Sequence, residues 1–271
     1  QEMKLNYHEV ENYDFAAIKL YTFVALLSSE LLKESLSKPQ KLHVNFMAKS
    51  VTLLKGIHTL WHSECFDECY VLQRCLSDRL FHLKDLVDKE CYQEFEDFSF
   101  YKTYQSRQKL RSNSDFPEYR KLVNISAADN RKFQEISKNK VTYKRPKAEE
   151  IAKKLLDMPF LYDLGYDLTS GAVHPMFNDG EKELNLMLDP EYHLRMPDHR
   201  DILHNSLLYA HVIINTAMGA IGYQWRKPVI EFTDDLQAFL AGDKPCLESA
   251  LAKIIKFANQ GDDLYRAEVV T

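Results

Sequence analysis

Glycine and proline are scarce in this chain of 271 residues, which contains 8 glycines and 9 prolines. Folds built from many short strands need these residues at their turns, so their scarcity favours helices over an all-β fold. No stretch alternates apolar with polar residues and is rich in β-branched side chains, and we therefore expect little or no sheet. Hydrophobic residues make up 45% of the chain, which excludes a disordered protein.

Cysteine motifs are also lacking. The five cysteines, at positions 65, 69, 75, 91 and 246, are odd in number and form no Cys-x-x-Cys pair, so neither a disulfide framework nor a zinc knuckle is predicted. His58 and His62 precede Cys65 and Cys69 at helical spacing, but a single straight helix cannot surround an ion with four ligands. We interpret these four residues as part of the core, and we expect neither a metal nor a cofactor.

Phosphate loops, a nucleophile elbow and a membrane span are absent as well. The chain contains no Gly-x-x-x-x-Gly-Lys, Gly-x-Gly-x-x-Gly or Gly-x-Ser-x-Gly motif, which excludes P-loop and α/β-hydrolase chemistry. The longest apolar run, 207–221, is interrupted by His211 and Asn215 and is shorter than the roughly 20 residues that a bilayer requires. With no leader evident, we expect a cytoplasmic protein that does not contact the membrane.

Apolar residues at helical spacing predict an all-α fold, a multi-helix bundle of about seven to nine helices in a single domain over residues 1–271. The longest helices are expected at 14–36, 42–61, 64–90 and 201–225. Asp14 is the predicted N-cap of the first helix, and Ser37 and Pro39 are expected to end it. The polar residues of 175–200 predict a long loop.

Positive charge is concentrated in one segment. Residues 102–147 contain 13 Lys/Arg and 4 Asp/Glu, a net charge of +9, while the remainder carries −14. This asymmetry predicts a polyanionic partner such as RNA, and the segment is interpreted as mobile or as an insertion. A solvated face or a protein contact is the alternative interpretation. The residues predicted to bind RNA are Lys102, Arg107, Lys109, Arg111, Arg120, Lys121, Arg131, Lys132, Lys144 and Arg145.

Aromatic residues lie among these basic residues and could stack on unpaired bases. They are Tyr101, Tyr104, Phe116, Tyr119, Phe133 and Tyr143.

Arg74 and Asp78 are one helical turn apart and project away from the stripe formed by Leu72, Leu76 and Leu83. An exposed ion pair is one interpretation, and it would contribute about 0.3–0.5 kcal/mol. The functional interpretation is an arginine that a carboxylate holds in position to bind an anion.

A second constellation, Tyr162, Tyr166, Ser170 and His174, recurs every four residues and therefore lines one side of a helix. Pro175 pushes His174 out of the α region, which places the imidazole where the helix ends and a polar loop begins. A histidine there can keep a pKa near neutrality and reach a ligand. A structural His-Pro terminus is the alternative.

Together these residues resemble the paired signature of an uncharacterised family of bacterial helical proteins. Arg74 with Asp78 matches an Arg-x-x-x-acid motif, and Tyr166, Ser170, His174 and Pro175 match Tyr-x-x-x-Ser-x-x-x-His-Pro about ninety residues later. That family is distantly similar to the HEPN superfamily, whose members are helical bundles. Many of these are dimeric, metal-independent ribonucleases of bacterial defence or toxin–antitoxin systems. Their Arg and His lie four to six residues apart, whereas Arg74 and His174 are a hundred apart.

The resemblance and the residues lead to one functional hypothesis and two alternatives. In the hypothesis, RNA is cleaved without a metal, with His174 as general acid or base, Arg74 and Asp78 stabilising the phosphate charge, and Tyr166 and Ser170 orienting the reacting groups. The first alternative is a non-catalytic sensor or protein-interaction module, in which the same residues form a buried polar network. The second is a small-molecule or nucleotide pocket between helices, which no phosphate loop supports. A homodimer and a protein partner from a defence system are further expectations.

Overall fold

A computed structural model describes residues 7–33, 35–115, 117–174, 180–189, 191–192, 197–222, 227–244 and 247–260. Its elements are α1 (Val10–Leu31), α2 (Lys38–Trp61), α3 (Phe66–Lys89), α4 (Tyr92–Arg111), α5 (Tyr119–Leu122), α6 (Ala127–Asn139), α7 (Ala148–Lys154), α8 (Phe160–Tyr162), a π-helical turn (Asp163–Asp167), α9 (Leu168–Ser170), α10 (Glu181–Leu188), α11 (Arg200–Ile221), α12 (Lys227–Leu240) and α13 (Leu247–Gln260).

The prediction of an all-α fold is confirmed, since the described ranges contain no strand. The number of helices was predicted wrongly. When the contiguous α8, π-turn and α9 are taken as one, the described residues form twelve helices rather than seven to nine. Helix α10 lies inside the segment 175–200 that was predicted to be a loop. None of the helices in the described ranges is long and apolar enough to cross a membrane.

The first two helices begin differently from the prediction. Glu9 occupies the N-cap position of α1, so Asp14 lies in the second turn and is not a cap. Ser37 begins α2 and does not end α1: its hydroxyl accepts from the Gln40 N–H while the Gln40 side chain accepts from the Ser37 N–H. This capping box satisfies two N–H groups that have no partner within a helix, and Pro39 fits the first turn because it has no N–H.

The chain divides into two compact units, a terminal unit formed by 1–84 with 147–271 and a central unit formed by 85–146. Helix α3 contributes residues to both. The predictions of a single domain over 1–271 and of a mobile insertion at 102–147 stay predictions.

Helix α11 is the main core helix of the terminal unit, packing against α1, α2 and α12. Its buried residues recur at helical spacing and include Leu207, Ile213 and Met218. The helix was predicted to continue to 225, but it ends at Gly222, whose φ of 83° is a left-handed conformation that glycine adopts without steric cost. Phe23 of α1 and Phe232 of α12 stack with their ring centroids 4.3 Å apart.

Aromatic side chains form much of the packing within the central unit. The Phe133 ring stacks on Tyr104 at 4.1 Å and on Tyr101 at 5.1 Å between centroids. The Tyr143 ring lies 5.1 Å from Phe95 and is 7% exposed, as is Tyr104. Tyr104 and Tyr143 therefore have little free surface for base stacking. Phe116 and the side chain of Tyr119 lie outside what the structure describes.

Four of the cysteines are free thiols, namely Cys65, Cys69, Cys75 and Cys91. Cys246 lies outside the described residues. Cys69 is buried, and burial raises the pKa of its thiol to about 12, so this group stays protonated at neutral pH.

Candidate functional site

The terminal unit brings together four of the five residues predicted to be catalytic. The Arg74 guanidinium carbon lies 3.1 Å from the centroid of the Tyr166 ring. Its Nη1 forms an ion pair with Asp78 Oδ1, although the direction of the N–H does not make this contact a hydrogen bond. Arg74 Nε donates to Ser170 Oγ at 3.3 Å. These four residues are called the Arg74 cluster below.

Burial strengthens the contacts within the Arg74 cluster. The Arg74 side chain is 14% exposed and the Asp78 side chain 48% exposed, so the ion pair lies at the boundary between protein and water. Ser170 Oγ donates in turn to the Tyr166 carbonyl. No hydrogen bond with a described residue uses Arg74 Nη2, so this nitrogen is the part of the guanidinium left to bind a ligand.

A π-helical turn positions Tyr166 and Ser170 opposite Arg74. The Leu168 N–H donates to the Asp163 carbonyl five residues earlier, so this turn contains one residue more than an α-helical turn. The Gly165 carbonyl accepts from two hydroxyls, Thr169 Oγ1 at 2.6 Å and Ser77 Oγ at 2.7 Å. Ser77 is on α3, three residues after Arg74, and therefore ties the turn to the helix that carries the arginine.

Gly165 allows this turn to approach α11 closely. A Cβ atom at this position would lie 1.6 Å from Tyr209 Oη. The Tyr209 hydroxyl donates to the Leu161 carbonyl at 2.7 Å, and the residue is buried. The close approach thus requires a residue without a side chain.

Aromatic side chains pack against the Tyr166 ring of the Arg74 cluster. Tyr166 stacks on Tyr162 with 5.3 Å between ring centroids and lies 6.1 Å from Phe81. Phe81 belongs to a small buried cluster with Ala148, Ile151 and Ala152 of the terminal unit. The Tyr166 ring is therefore a fixed surface on which the guanidinium lies.

His174, the fifth predicted catalytic residue, follows α9 and is exposed. Within the described residues, no hydrogen bond or ion pair joins its imidazole to any member of the Arg74 cluster. Pro175, which was predicted to set the conformation of His174, lies outside the described residues. The structure therefore brings Arg74, Asp78, Tyr166 and Ser170 together and leaves His174 at an exposed position four residues beyond Ser170.

All ten residues predicted to bind RNA lie in the central unit, and nine of them are exposed. Lys132 is half-buried: its Nζ lies 3.1 Å from Glu96 Oε1 and 4.8 Å from the Phe100 ring centroid. Lys102 Nζ lies 5.8 Å from the Phe98 ring centroid. The other nine form no ion pair within the described residues. These charges are available to a polyanion.

Residues 40–191 match the model of a family described as "Family of unknown function (DUF5677)", which is more than half of the chain. The chain belongs to the DUF5677 family. No curated protein matches the chain, and no solved structure matches it either.

The DUF5677 match includes every residue predicted to be catalytic or to bind RNA. It also includes three residues that the sequence did not single out and that shape the cluster, Ser77, Phe81 and Gly165. Gly165 lies between Tyr162 and Tyr166, and a glycine at that place is the one feature of the sequence that could have indicated a close approach to another helix. Tyr209, which requires that glycine, lies beyond the matched range.

Metal binding has no candidate among the described residues of this DUF5677 protein: no group of three His, Cys, Asp or Glu side chains there could hold an ion. Of the four residues interpreted as core, His58 and Cys69 are buried. The His62 side chain is 51% exposed, and Cys65 is half-buried, so these two are not core residues. The chemistry that the Arg74 cluster can perform is the binding and neutralisation of an anion.

Proposed function

We propose that this DUF5677 protein binds RNA through the central unit and cleaves it without a metal at a centre that contains Arg74 and His174. The observation that carries the proposal is the exposure of nine of the ten predicted basic residues, with no ion pair to described residues occupying them. Free cationic side chains release counterions from a nucleic-acid backbone on binding, which supplies most of the non-specific affinity.

In the proposed reaction, His174 accepts the proton of a ribose 2′-hydroxyl, and the 2′-oxygen forms a bond to the adjacent phosphorus. The bond from phosphorus to the 5′-oxygen breaks, that oxygen takes a proton from water, and His174 later returns its proton to solvent, which leaves a 2′,3′-cyclic phosphate and a 5′-hydroxyl. Arg74 stabilises the additional negative charge through Nη2 while Asp78, Tyr166 and Ser170 hold the guanidinium in place. His174 is exposed and can therefore reach a substrate from solvent.

The biological setting follows from the resemblance of the motifs rather than from a contact in the structure. A ribonuclease of this kind would be the effector of a bacterial defence or toxin–antitoxin system, as many HEPN proteins are. The HEPN relationship, the homodimer and the partner protein are part of the proposal.

The cleavage test uses mixed RNA in EDTA with the wild type, His174→Ala and Arg74→Ala, each checked for folding by circular dichroism. Removal of a general acid or base is expected to reduce the rate by about 10²–10⁴-fold, and the products should end in 2′,3′-cyclic phosphate. Arg79→Ala is the matched control, because Arg79 is on the same helix and its Nη1 donates to the Cys75 carbonyl. Cleavage that survives both test substitutions, or no cleavage by the wild type, would refute the nuclease.

RNA binding is tested separately by the salt dependence of affinity for a single-stranded RNA. Arg107→Gln combined with Arg111→Gln removes two exposed charges from one face of α4 and should lower the slope of log K against log salt by about 1.4. Lys41→Gln with Lys49→Gln removes two exposed charges from α2 and should leave the slope unchanged. An equal change in the two double variants would argue against binding by the central unit.

One observation favours a second function, a non-catalytic sensor or protein-interaction module. The Arg74 guanidinium is occupied by Asp78, Ser170 and the Tyr166 ring, which is how a buried polar network fixes the packing of helices. In that case wild-type protein would not cleave RNA, and the effect of Arg74→Ala would be confined to the stability of the protein.

A further inference from the structure

One side of the helical segment that carries Tyr166 and Ser170 is apolar and faces solvent. Phe160, Leu164 and Leu168 recur every four residues and are 44%, 42% and 58% exposed. The residue after each of them is buried, so the same spacing separates the exposed side of this segment from its packed side. Large apolar side chains that share an exposed side mark a surface to which another molecule binds.

The charge beside this apolar side is negative. Asp163 and Asp167 each precede one of the leucines, and both are exposed without an ion pair to a described residue. Residues 155–174 contain three aspartates and no lysine or arginine. The nearby Lys153 is already paired, since its Nζ lies 2.6 Å from Glu149 Oε1. Phe160, Leu164 and Leu168 together with the two aspartates are called the acidic face below.

The central unit presents the opposite combination. Leu110 of α4 is 46% exposed and Leu122 of α5 is 73% exposed, and α5 packs against α4. The connecting loop contains two acids, so residues 109–122 carry a net charge of +2. Four basic side chains adjoin the two leucines in the sequence, and all four are exposed without an ion pair to a described residue: Lys109, Arg111, Arg120 and Lys121. The two leucines and these four residues are called the basic face below.

The two faces differ in what they can bind. RNA could bind the basic face, but its phosphates would be repelled by Asp163 and Asp167. Two acidic faces cannot bind each other either, because like charges that face each other cost several kcal/mol. The basic face offers both an apolar surface and positive charge, so it matches the acidic face in both respects.

We propose that the acidic face of one copy of the chain binds the basic face of a second copy. The leucines of the two faces pack together, and Asp163 and Asp167 pair with Arg120 and Lys121. Each copy carries one face of each kind, so two copies that exchange contacts form a closed dimer with two identical interfaces. Such a dimer specifies the homodimer of the proposed function, on which it rests.

Association of the full chain is measured by sedimentation equilibrium without RNA. We expect the wild type to form dimers that weaken as salt is added. Asp163→Lys with Asp167→Lys places like charges together at both interfaces, and so does Arg120→Glu with Lys121→Glu. Each double variant alone should therefore raise the dissociation constant on the order of 100-fold.

An equimolar mixture of the two double variants should dimerise as well as the wild type. The new lysines of one variant then face the new glutamates of the other, while the unchanged basic residues of the first face the unchanged aspartates of the second. Both interfaces regain opposite charges, although neither variant associates by itself. A merely structural effect of the substitutions would not be reversed by mixing.

Glu11→Lys with Glu68→Lys is the matched control, because it makes the same change of net charge at two exposed acids of the terminal unit outside 155–174. It should leave the dissociation constant unchanged, and circular dichroism checks that every variant is folded. A wild type that is monomeric at about 100 μM, a control that dissociates as readily as the test variants, or a mixture that stays monomeric would overturn the proposal. Because RNA is absent, these outcomes do not depend on whether the protein cleaves it.

Discussion

Arg74 in the terminal unit and Arg107 in the central unit carry the same charge in different surroundings. The Arg74 side chain is 14% exposed, and Asp78, Ser170 and the Tyr166 ring occupy three parts of its guanidinium. Arg107 is exposed and forms no ion pair with a described residue, although its charge, after hydrogen bonds from Ser126, helps to lower the pKa of Asp129. A formal charge counted from sequence therefore has two meanings: in the central unit it is free to attract a polyanion, and in the terminal unit it is largely used to join helices.

The two units also differ in their histidine content. All ten histidines lie outside 85–146, so no side chain of the central unit has an ordinary pKa between 5 and 8. Acidification should therefore act on the two units differently, and this gives the largest expected effect.

Lowering the pH from 7 to 5 should destabilise the terminal unit by about 4 kcal/mol. Burial lowers the pKa of His43 and of His211 to about 4, against 6.5 in the unfolded chain. The unfolded state binds protons first as the pH falls, so stability that is present above pH 6.5 is lost down to pH 4, by about 2 kcal/mol per histidine at pH 5. Burial also lowers the pKa of His58, His199 and His204, which adds to the loss, and raises the pKa of Asp201, which opposes part of it.

Urea unfolding followed by amide resonances of each unit measures this difference. His211→Gln should remove about 2 kcal/mol of the pH dependence even if it lowers the stability at pH 7. The contrast between the units is wrong if acidification lowers the free energy of unfolding reported by the resonances of α4 and α6 as much as that reported by the resonances of α2 and α11.

Gly165→Ala is expected to destabilise the terminal unit by about 3 kcal/mol, because overpacked cores must move backbone or side chains. The new Cβ would lie 1.6 Å from the hydroxyl of buried Tyr209, which would also lose its bond to Leu161. Gly171→Ala is the control, since its nearest neighbour would be the Leu168 carbonyl oxygen at 3.5 Å, an ordinary contact. Similar stabilities of the two variants, measured by urea unfolding, would show that the turn can move away from α11.

The smallest effects test the two arginines directly. Arg74→Gln should lower the free energy of unfolding by about 1–2 kcal/mol through the lost ion pair and ring contact, whereas Arg107→Gln should stay within about 0.5 kcal/mol. RNA affinity should respond in the opposite order at low salt. If Arg107→Gln destabilises the protein as much as Arg74→Gln, then the Arg107 charge is structural and the contrast between the units is wrong.

Much of the fold could be predicted because apolar periodicity reports burial directly. Helices α2, α3 and α11 lie within a few residues of their predicted positions, and the acidic partner of Arg74 follows from i, i+4 spacing alone. Asp14 was assigned to a cap because its residue type favours caps, but its carboxylate binds two imidazoles on another helix. Residue type at a helix start does not reveal such a tertiary partner.

The geometry of the Arg74 cluster depends on contacts between distant parts of the chain. The four-residue spacing predicted that Tyr162, Tyr166, Ser170 and His174 share one side of a helix, and the resemblance of the motifs associated that side with Arg74. Tyr166 and Ser170 contact Arg74, whereas the described residues show no such contact for His174. The π-helical turn could not be predicted, because it depends on the close approach of Gly165 to Tyr209 and on the Ser77 hydroxyl. These contacts join residues 44 and 88 positions apart.

The additional residue in the π-helical turn makes the length of this segment as important as its composition. Deletion of one residue between 163 and 167 would leave an ordinary α-helical turn, in which the Asp163 carbonyl accepts from a donor four residues later instead of five. Because the wide turn takes up one residue, the chain after it would keep nearly the same direction about the helix axis, and Ser170 would still face Arg74. What the deletion would remove is the extra residue beside the Gly165 carbonyl, and with it the hydrogen bond from the Ser77 hydroxyl that joins the turn to α3. The length of the segment therefore decides whether the turn is held against α3, although every side chain of the Arg74 cluster is present in either case.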